Sequence, residues 1–460
     1  MNSRVLKRLE FIQRLVRQVC SMRVASVFRN VVYTLTMAIF LMPISTLVEA
    51  KPAFGTRTLV IYDQKLTELD NYSTFLNNLK QRSHELSYRA IGNDSTPISL
   101  FRGEDKLYDN LIVYPIRSRH FNKQLSVENL LSFFSKGGQV LTITSPEGLS
   151  DNVRLFLNQL GMFPSPRNYY LNDYYHGDEN NTLHLTKGES LNEHVVPLGE
   201  YDLVYKGAAA LLDNRQLIIP VLQAPKTSFS VDSKQSDEIW TAGSEGYLAA
   251  AFQSLRNTRL AWVGSEVFFS NEFSANNGRF VEQLTKWAFA EKAVIKSVGS
   301  SHQHIGGAGY LESPYKVKDS VVYDIGLSEW DGSSWSPFTA DDIQFELKMI
   351  DPYYRITLLP SETSNEAQYY TTGNFSLPDH HGIFTFLVDY KRAGLSFITE
   401  KDVRAIRHLA NDEYLRSWDI TNSWVYLTSI YSVITVWVLF VGLYLSLRKP
   451  KTVETEKKNN

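Results

Sequence analysis

Cysteine is almost missing from this chain. The single thiol, Cys20, lies near the N-terminus of 460 residues. A body without thiols forms no disulfide, offers no cysteine nucleophile and builds no cysteine-ligated metal site, so core packing alone must hold it. An overall charge imbalance is missing too, the formal net charge being −2. That total conceals an asymmetry. Residues 1–50 hold seven Lys/Arg against two Asp/Glu, and the segment from Arg448 onward holds five against two, which leaves the stretch between them near −10. A mildly acidic body lacks the basic footprint that nucleic acid requires, and no nucleic-acid partner is expected.

Charge is wholly absent from Trp424 to Leu447, a run of 24 residues halted by Arg448, Lys449 and Lys451. About 20 apolar residues in a helix cross the roughly 30 Å hydrocarbon core of a bilayer. In lipid the backbone must bond internally, which leaves the helix as the form. Trp424 and Tyr426 at one end and Tyr444 at the other suit the headgroup level. The expectation is one transmembrane helix over 424–447. The basic residues after it favour the cytosolic side, so 448–460 reads as a cytosolic tail and everything before 424 as exoplasmic. Lys457 and Lys458, fourth and third from the end, resemble the dilysine retrieval signal of endoplasmic reticulum (ER) membrane proteins. Such a signal is an address read by a receptor and anchors nothing.

At the other end, residues 1–29 are basic and Val31 to Ile44 is apolar. Val48-Glu49-Ala50 then sets short side chains at a cleavage position, which predicts a secretory signal peptide over 1–50. An uncleaved signal anchor is the competing reading, and Met22 is an alternative start. With Cys20 removed, the mature body would hold no thiol. Four Asn-X-Ser/Thr acceptors follow, at Asn71, Asn93, Asn180 and Asn374, with Asn93 and Asn374 in turn-like surroundings.

Between these ends the pattern predicts two lumenal domains. From 51 to 298, short apolar runs alternate with amphipathic stretches. Strands are expected at Thr58–Tyr62, Asn110–Ile116, Gln139–Thr144, Leu248–Phe252 and Leu260–Val263. Helices are expected through Phe75, Leu76, Leu79 and Leu86, from the N-cap Ser126 to Gly137, over Val153–Leu160 and over Arg279–Phe289. This alternation implies an α/β domain with a parallel, flavodoxin- or Rossmann-like sheet. The turn after the first strand, Asp63-Gln64-Lys65-Leu66, has no glycine, so the dinucleotide fingerprint is missing and no cofactor is expected. Residues 161–245 show little periodicity, with strand candidates only at Leu217–Leu222 and Ser228–Val231. His302 and His304 fall in a Gly/Ser-rich stretch, 299–309, that reads as a solvated linker without a metal. From 310 to 400, β-branched and aromatic runs separated by turns predict an antiparallel β-sandwich. Asp341 and Asp342 read as turn or capping acids. Residues 401–423 are expected to be a juxtamembrane segment. Thr428, Ser432, Thr435, Gly442 and Ser446 recur near multiples of 3.6 residues, a small and polar stripe that permits close helix contact in lipid. The same hydroxyls can instead bond their own backbone.

Several strings resemble one family. They are Leu107-Tyr-Asp-Asn-Leu-Ile112, Asp341-Asp-Ile-Gln344, Ile350-Asp-Pro-Tyr-Tyr-Arg355 and Leu377-Pro-Asp-His-His-Gly-Ile-Phe384 with Val388-Asp-Tyr390. In order from about Thr56 to Leu447, the chain is similar to the wheat-germ-agglutinin-binding, or 48-kDa-type, subunit of the ER oligosaccharyltransferase. The glycine-rich turn before the third strand is shorter here, reduced to Gly137-Gly138. The resemblance implies a non-catalytic, single-pass type I glycoprotein of the ER membrane, its bulk in the lumen. It would serve the complex that transfers a preassembled oligosaccharide from dolichyl diphosphate to asparagine. The implied partners are the other membrane subunits, the catalytic one included, with the dolichol-linked oligosaccharide as a further contact. The residues agree: the span has no charge to hold a metal, and no two of the eight tryptophans are adjacent, so the Trp-Trp-Asp acceptor motif of the catalytic subunit is missing. A free-standing ER lectin or cargo receptor is the alternative, since 13% aromatic residues suit sugar stacking in either case.

Overall fold

A computed structural model describes residues 51–91, 98–117, 125–175, 177, 181–233, 238–414 and 422–447. The proposed signal peptide, Asn93, Asn180 and the tail with Lys457 and Lys458 lie outside the described residues.

The N-terminal part is built on a nine-stranded mixed sheet. Five strands lie side by side in the order β2 (Glu85–Ile91), β1 (Arg57–Asp63), β3 (Asn110–Val113), β4 (Gln139–Ile143) and β6 (Arg259–Val263), all parallel. Leu59, Val60 and Ile61 are fully buried, as a parallel sheet covered on both faces requires. β5 (Tyr247–Gln253) then joins antiparallel to β6, so the sheet is parallel only over its first five strands. Helices α1 (Ser73–Gln81), α2 (Val127–Ser135), α3 (Asp151–Gln159) and α4 (Ser274–Ala288) pack their apolar sides on it. Ser126 caps α2, its Oγ accepting the Asn129 N–H at 3.3 Å. Gly137, at φ 85°, turns the chain out of that helix.

One local expectation fails for an identifiable reason. Leu86 does not extend α1. The chain reverses at Ser83, which sits at φ 66°, and Leu86 falls on β2 instead. The stretch with little periodicity, 161–245, holds eight strands among its described residues, each three to seven residues long, and two of them, Ile218–Gln223 and Phe229–Asp232, lie at the expected positions. Such strands are too brief to show a period, and their edges are set by partners distant in sequence.

Two antiparallel sheets follow. One holds β7 (Ile295–His304) and β8 (Ser320–Trp330). The other runs β10 (Pro352–Thr357), β9 (Gln344–Lys348), β11 (Gly382–Tyr390) and β12 (Ile398–Ile406). Tyr323 from the first sheet meets Phe345 and Phe386 from the second, with ring centroids 4.6 and 6.5 Å apart. The antiparallel layers begin before 310 and end after 400. Residues 299–304 of the stretch expected to be a linker belong to strand β7, and 401–406 completes β12.

The two domains are latched. Loop 391–397, between β11 and β12, inserts its carbonyls against the first domain. Trp287 Nε1 donates to Gly394 O at 2.7 Å, Gln253 Nε2 to Leu395 O at 2.6 Å, and Asn257 Nδ2 to Phe397 O at 2.9 Å. Arg259, fully buried, bonds the carbonyls of Trp287, Lys292 and Ala293 and also Ser396 Oγ at 3.2 Å. From this latch β7 and β12 run the same way. Ser396 N–H bonds Ala293 O at their start, His302 meets Asp402 farther along, and Arg407 exchanges backbone bonds with Tyr315 and Val317 beyond their ends. The sandwich therefore lies between the α/β domain and the point where the chain leaves for the apolar helix.

Candidate functional site

In open α/β sheets ligands sit beyond the C-terminal ends of the parallel strands. Here that crevice is closed by the chain itself. Asp63, at the end of β1, accepts the backbone N–H groups of Lys65 and Arg117, each at 3.0 Å. Gly148 is so close that a Cβ on it would meet Pro115 Cβ at 2.5 Å and Leu66 Cδ1 at 2.9 Å. The same region holds Glu266, whose carboxyl is pushed up to about 7 by burial, with Glu147 adding repulsion. The Tyr114 hydroxyl, fully buried, is raised by the same desolvation.

Two polar clusters lie elsewhere. At the N-terminal edge of the sheet, Arg82 forks onto both Glu291 oxygens at 3.0 and 3.1 Å, while His84 Nε2 meets Glu291 Oε1 at 2.9 Å and His84 Nδ1 meets Thr58 Oγ1 at 2.9 Å. In the sandwich, His302 Nε2 lies 2.8 Å from Asp402 and its Nδ1 lies 2.7 Å from the Tyr315 hydroxyl. Burial raises that hydroxyl to about 12, far from a working nucleophile at neutral pH. His302 is thus mostly buried between β7 and β12 rather than solvated, and His304 bonds Ser313 O at 2.9 Å. Both clusters tie elements together. Among the described residues no three His, Cys, Asp or Glu side chains are grouped so as to hold a metal ion. Asp342 accepts from Arg392 Nε at 2.7 Å and from the Tyr390 hydroxyl at 3.0 Å, a paired acid.

The remaining sequence candidates are dispersed. Asn71 is exposed in a single 3-10 turn, and Ser73 Oγ of its acceptor triplet takes a bond from Asn271 at 2.9 Å. Asn374 is exposed in a turn opened by Gly373 at φ 64°. Helix α5 (Ser423–Leu447) is the one described helix long and apolar enough to cross a membrane, about 37 Å at 1.5 Å per residue. On it Thr428, Ser432, Thr435 and Ser446 donate to carbonyls three or four residues back, at 2.8–2.9 Å, and nothing lies within 4 Å of a Cβ at Gly442. These hydroxyls therefore bond their own backbone, as the competing reading of the stripe has it. The latch was missed in sequence. Its signal is Arg259 standing at the head of an otherwise apolar strand, Arg-Leu-Ala-Trp-Val.

The class these features define is a latched two-domain body carried on one apolar helix, with no catalytic constellation among the described residues. Residues 49–291 match the family model described as OST48, N-terminal domain, and residues 301–448 match that of the OST48 middle domain. The chain belongs to the OST48 family. It is 47% identical to the Saccharomyces cerevisiae dolichyl-diphosphooligosaccharide–protein glycosyltransferase subunit WBP1, over 88% of this chain and 95% of that one. The Schizosaccharomyces pombe subunit wbp1 is 30% identical over 85% and 93%. The Drosophila melanogaster 48 kDa subunit is 29% identical over 85% and 91%.

Proposed function

We propose that this protein is a non-catalytic subunit of the ER dolichyl-diphosphooligosaccharide–protein glycosyltransferase, the complex that moves a preassembled oligosaccharide onto asparagine of Asn-X-Ser/Thr. The observation that carries the reading is coextensive similarity: subunits so named align through both domains and the apolar helix. The body lies in the lumen, a placement supported by the basic residues after Leu447. Its role is assembly. The latched domains give a stiff block, and the stripe from Thr428 to Ser446 packs on the spans of other subunits, the catalytic one among them. Contact with the dolichol-linked oligosaccharide belongs to this proposal too. Its supporting feature is the pair Tyr174 and Tyr175, 85% and 81% exposed, with Tyr174 backed by the Phe229 ring at 5.2 Å and its outer face open to sugar. A free-standing lectin would use the same rings but bind glycan as a monomer. Depletion of the protein separates the readings. Under-glycosylated glycoproteins of faster gel mobility are expected, and normal mobility overturns the proposal.

A further inference from the structure

Outside α5, the two most exposed aliphatic side chains among the described residues are Leu311, 92% exposed, and Ile350, 86% exposed. They sit on separate loops. Leu311 follows β7, in a glycine-rich turn that also exposes Ile305, and Ile350 is at the tip of the hairpin between β9 and β10. Both loops lie at the same end of the sandwich, and it is the end opposite the latch. β7 runs from the latch toward Ile305 alongside β12, whose last residue is Ile406. Tyr310, next to Leu311, is covered by the Arg404 guanidinium at 5.1 Å. The Met349 sulfur lies 2.9 Å from a Cβ built on Gly382, which pairs with Ile406. The chain leaves for the span from here. Glu413 is clamped by Arg407 at 2.8 and 2.9 Å, by Lys316 at 2.8 Å and by the Ala410 N–H at 2.8 Å. Nine residues, 414–422, separate that clamp from the start of α5 at Ser423. Fully extended, the chain from Glu413 to Ser423 reaches about 35 Å, so this end of the sandwich stays close to the bilayer.

We infer that the loops carrying Leu311 and Ile350 rest in the interfacial layer of the lipid leaflet on the body's side of the membrane. Isolated aliphatic side chains this exposed are ordinary on a surface taken one at a time. Two such tips on independent loops, at the one end tethered to a membrane helix, form the apolar prongs of a surface that meets lipid. The nearby cations are paired: Lys316 and Arg407 with Glu413, Lys318 with Asp379 and Arg404 with Asp402. The exposed acids Glu312 and Asp351 flank the two tips and hold them at headgroup level, short of the acyl core. Three contacts, two loops and the span, then fix the tilt of the body over the bilayer, where a single helix joined by a short linker would leave it free to swing. The inference rests on the membrane-anchored reading of α5.

The near absence of thiols makes the test clean. With Cys20→Ser as background, Leu311→Cys, Ile350→Cys and the control Leu198→Cys (63% exposed on the first domain) each carry one nitroxide label. The intact complex is reconstituted in phosphatidylcholine vesicles. Collision with dissolved oxygen, which concentrates in lipid, is compared with collision with a water-soluble nickel chelate. Labels at 311 and 350 should favour oxygen, while the label at 198 favours nickel. Nickel access at 311 and 350 equal to that at 198 overturns the inference. So does low access to both reagents, which would mean that another subunit's protein covers the loops. A label within Trp424–Leu447 that also favours nickel would sink the membrane reading itself, and so tells that failure apart.

Discussion

Glu266 shows how far a single buried carboxyl can act. Its Oε2 has no hydrogen-bond partner and burial lifts the group from 4.5 to about 7. Between those values the folded chain keeps a proton that the unfolded chain has released. Stability therefore falls as pH rises from about 4.5 to 7 and levels off above, a loss on the order of 1–3 kcal/mol. Glu266→Gln should flatten that window, read as the difference in unfolding midpoint between pH 5 and pH 8. An unchanged slope would assign the pH dependence elsewhere. None of this was legible in the sequence, where Glu266 is one acid in Gly-Ser-Glu-Val. Its burial is set by the tertiary packing, and the repulsion that adds to it comes from Glu147, more than a hundred residues away. The histidines make the same point. His302 looked like a linker residue because its own stretch is polar and glycine-rich, and only the arrival of Asp402 and Tyr315 buries it.

At the scale of elements, the long or strongly periodic segments were readable. β1, α2 and α4 follow from local apolar pattern, and the cap at Ser126 is where the sequence places it. The sandwich strands β9 and β11 likewise match short β-branched and aromatic runs. The latch loop was not readable, since its function is to offer carbonyls, which every residue has. Gly394 is its sensitive point. At φ 93° an added Cβ is strained, and it would meet Asn192 Oδ1 at 2.5 Å and His194 Cβ at 2.8 Å. Gly394→Ala should lower stability by about 1–3 kcal/mol and separate one unfolding transition into two as the domains uncouple. Gly373→Ala, at φ 64° with nothing within 4 Å, is the control and should leave a single transition. For α5 the prediction concerns its small and polar face. Replacing Ser432 and Gly442 by leucine should release the protein from its complex on a native gel, and assembly as before would leave that face without a role.

For the molecule as a whole, topology is the claim that everything else uses. In sealed microsomes, protease should spare residues 51–414 and remove only an epitope fused after Asn460. Digestion of the body with survival of the epitope would reverse the orientation and with it the reading of the acceptor asparagines. The stiff coupling of the domains also matters at this scale. A fully buried arginine with four carbonyl and hydroxyl partners joins the α/β domain to the sandwich.

What the sequence determined alone is what depends on local composition: an uncharged run long enough for a bilayer, a body without thiols, alternating apolar segments that demand a sheet covered by helices, and ordered strings that mark a family. Each is a property of neighbours along the chain. The tertiary structure alone decided which residues lie on most of the strands at 161–245, where the domains lock, which acid is desolvated and which loops share the membrane end. Those outcomes depend on contacts between residues from tens to more than a hundred positions apart, and no local pattern encodes the packing that brings them together.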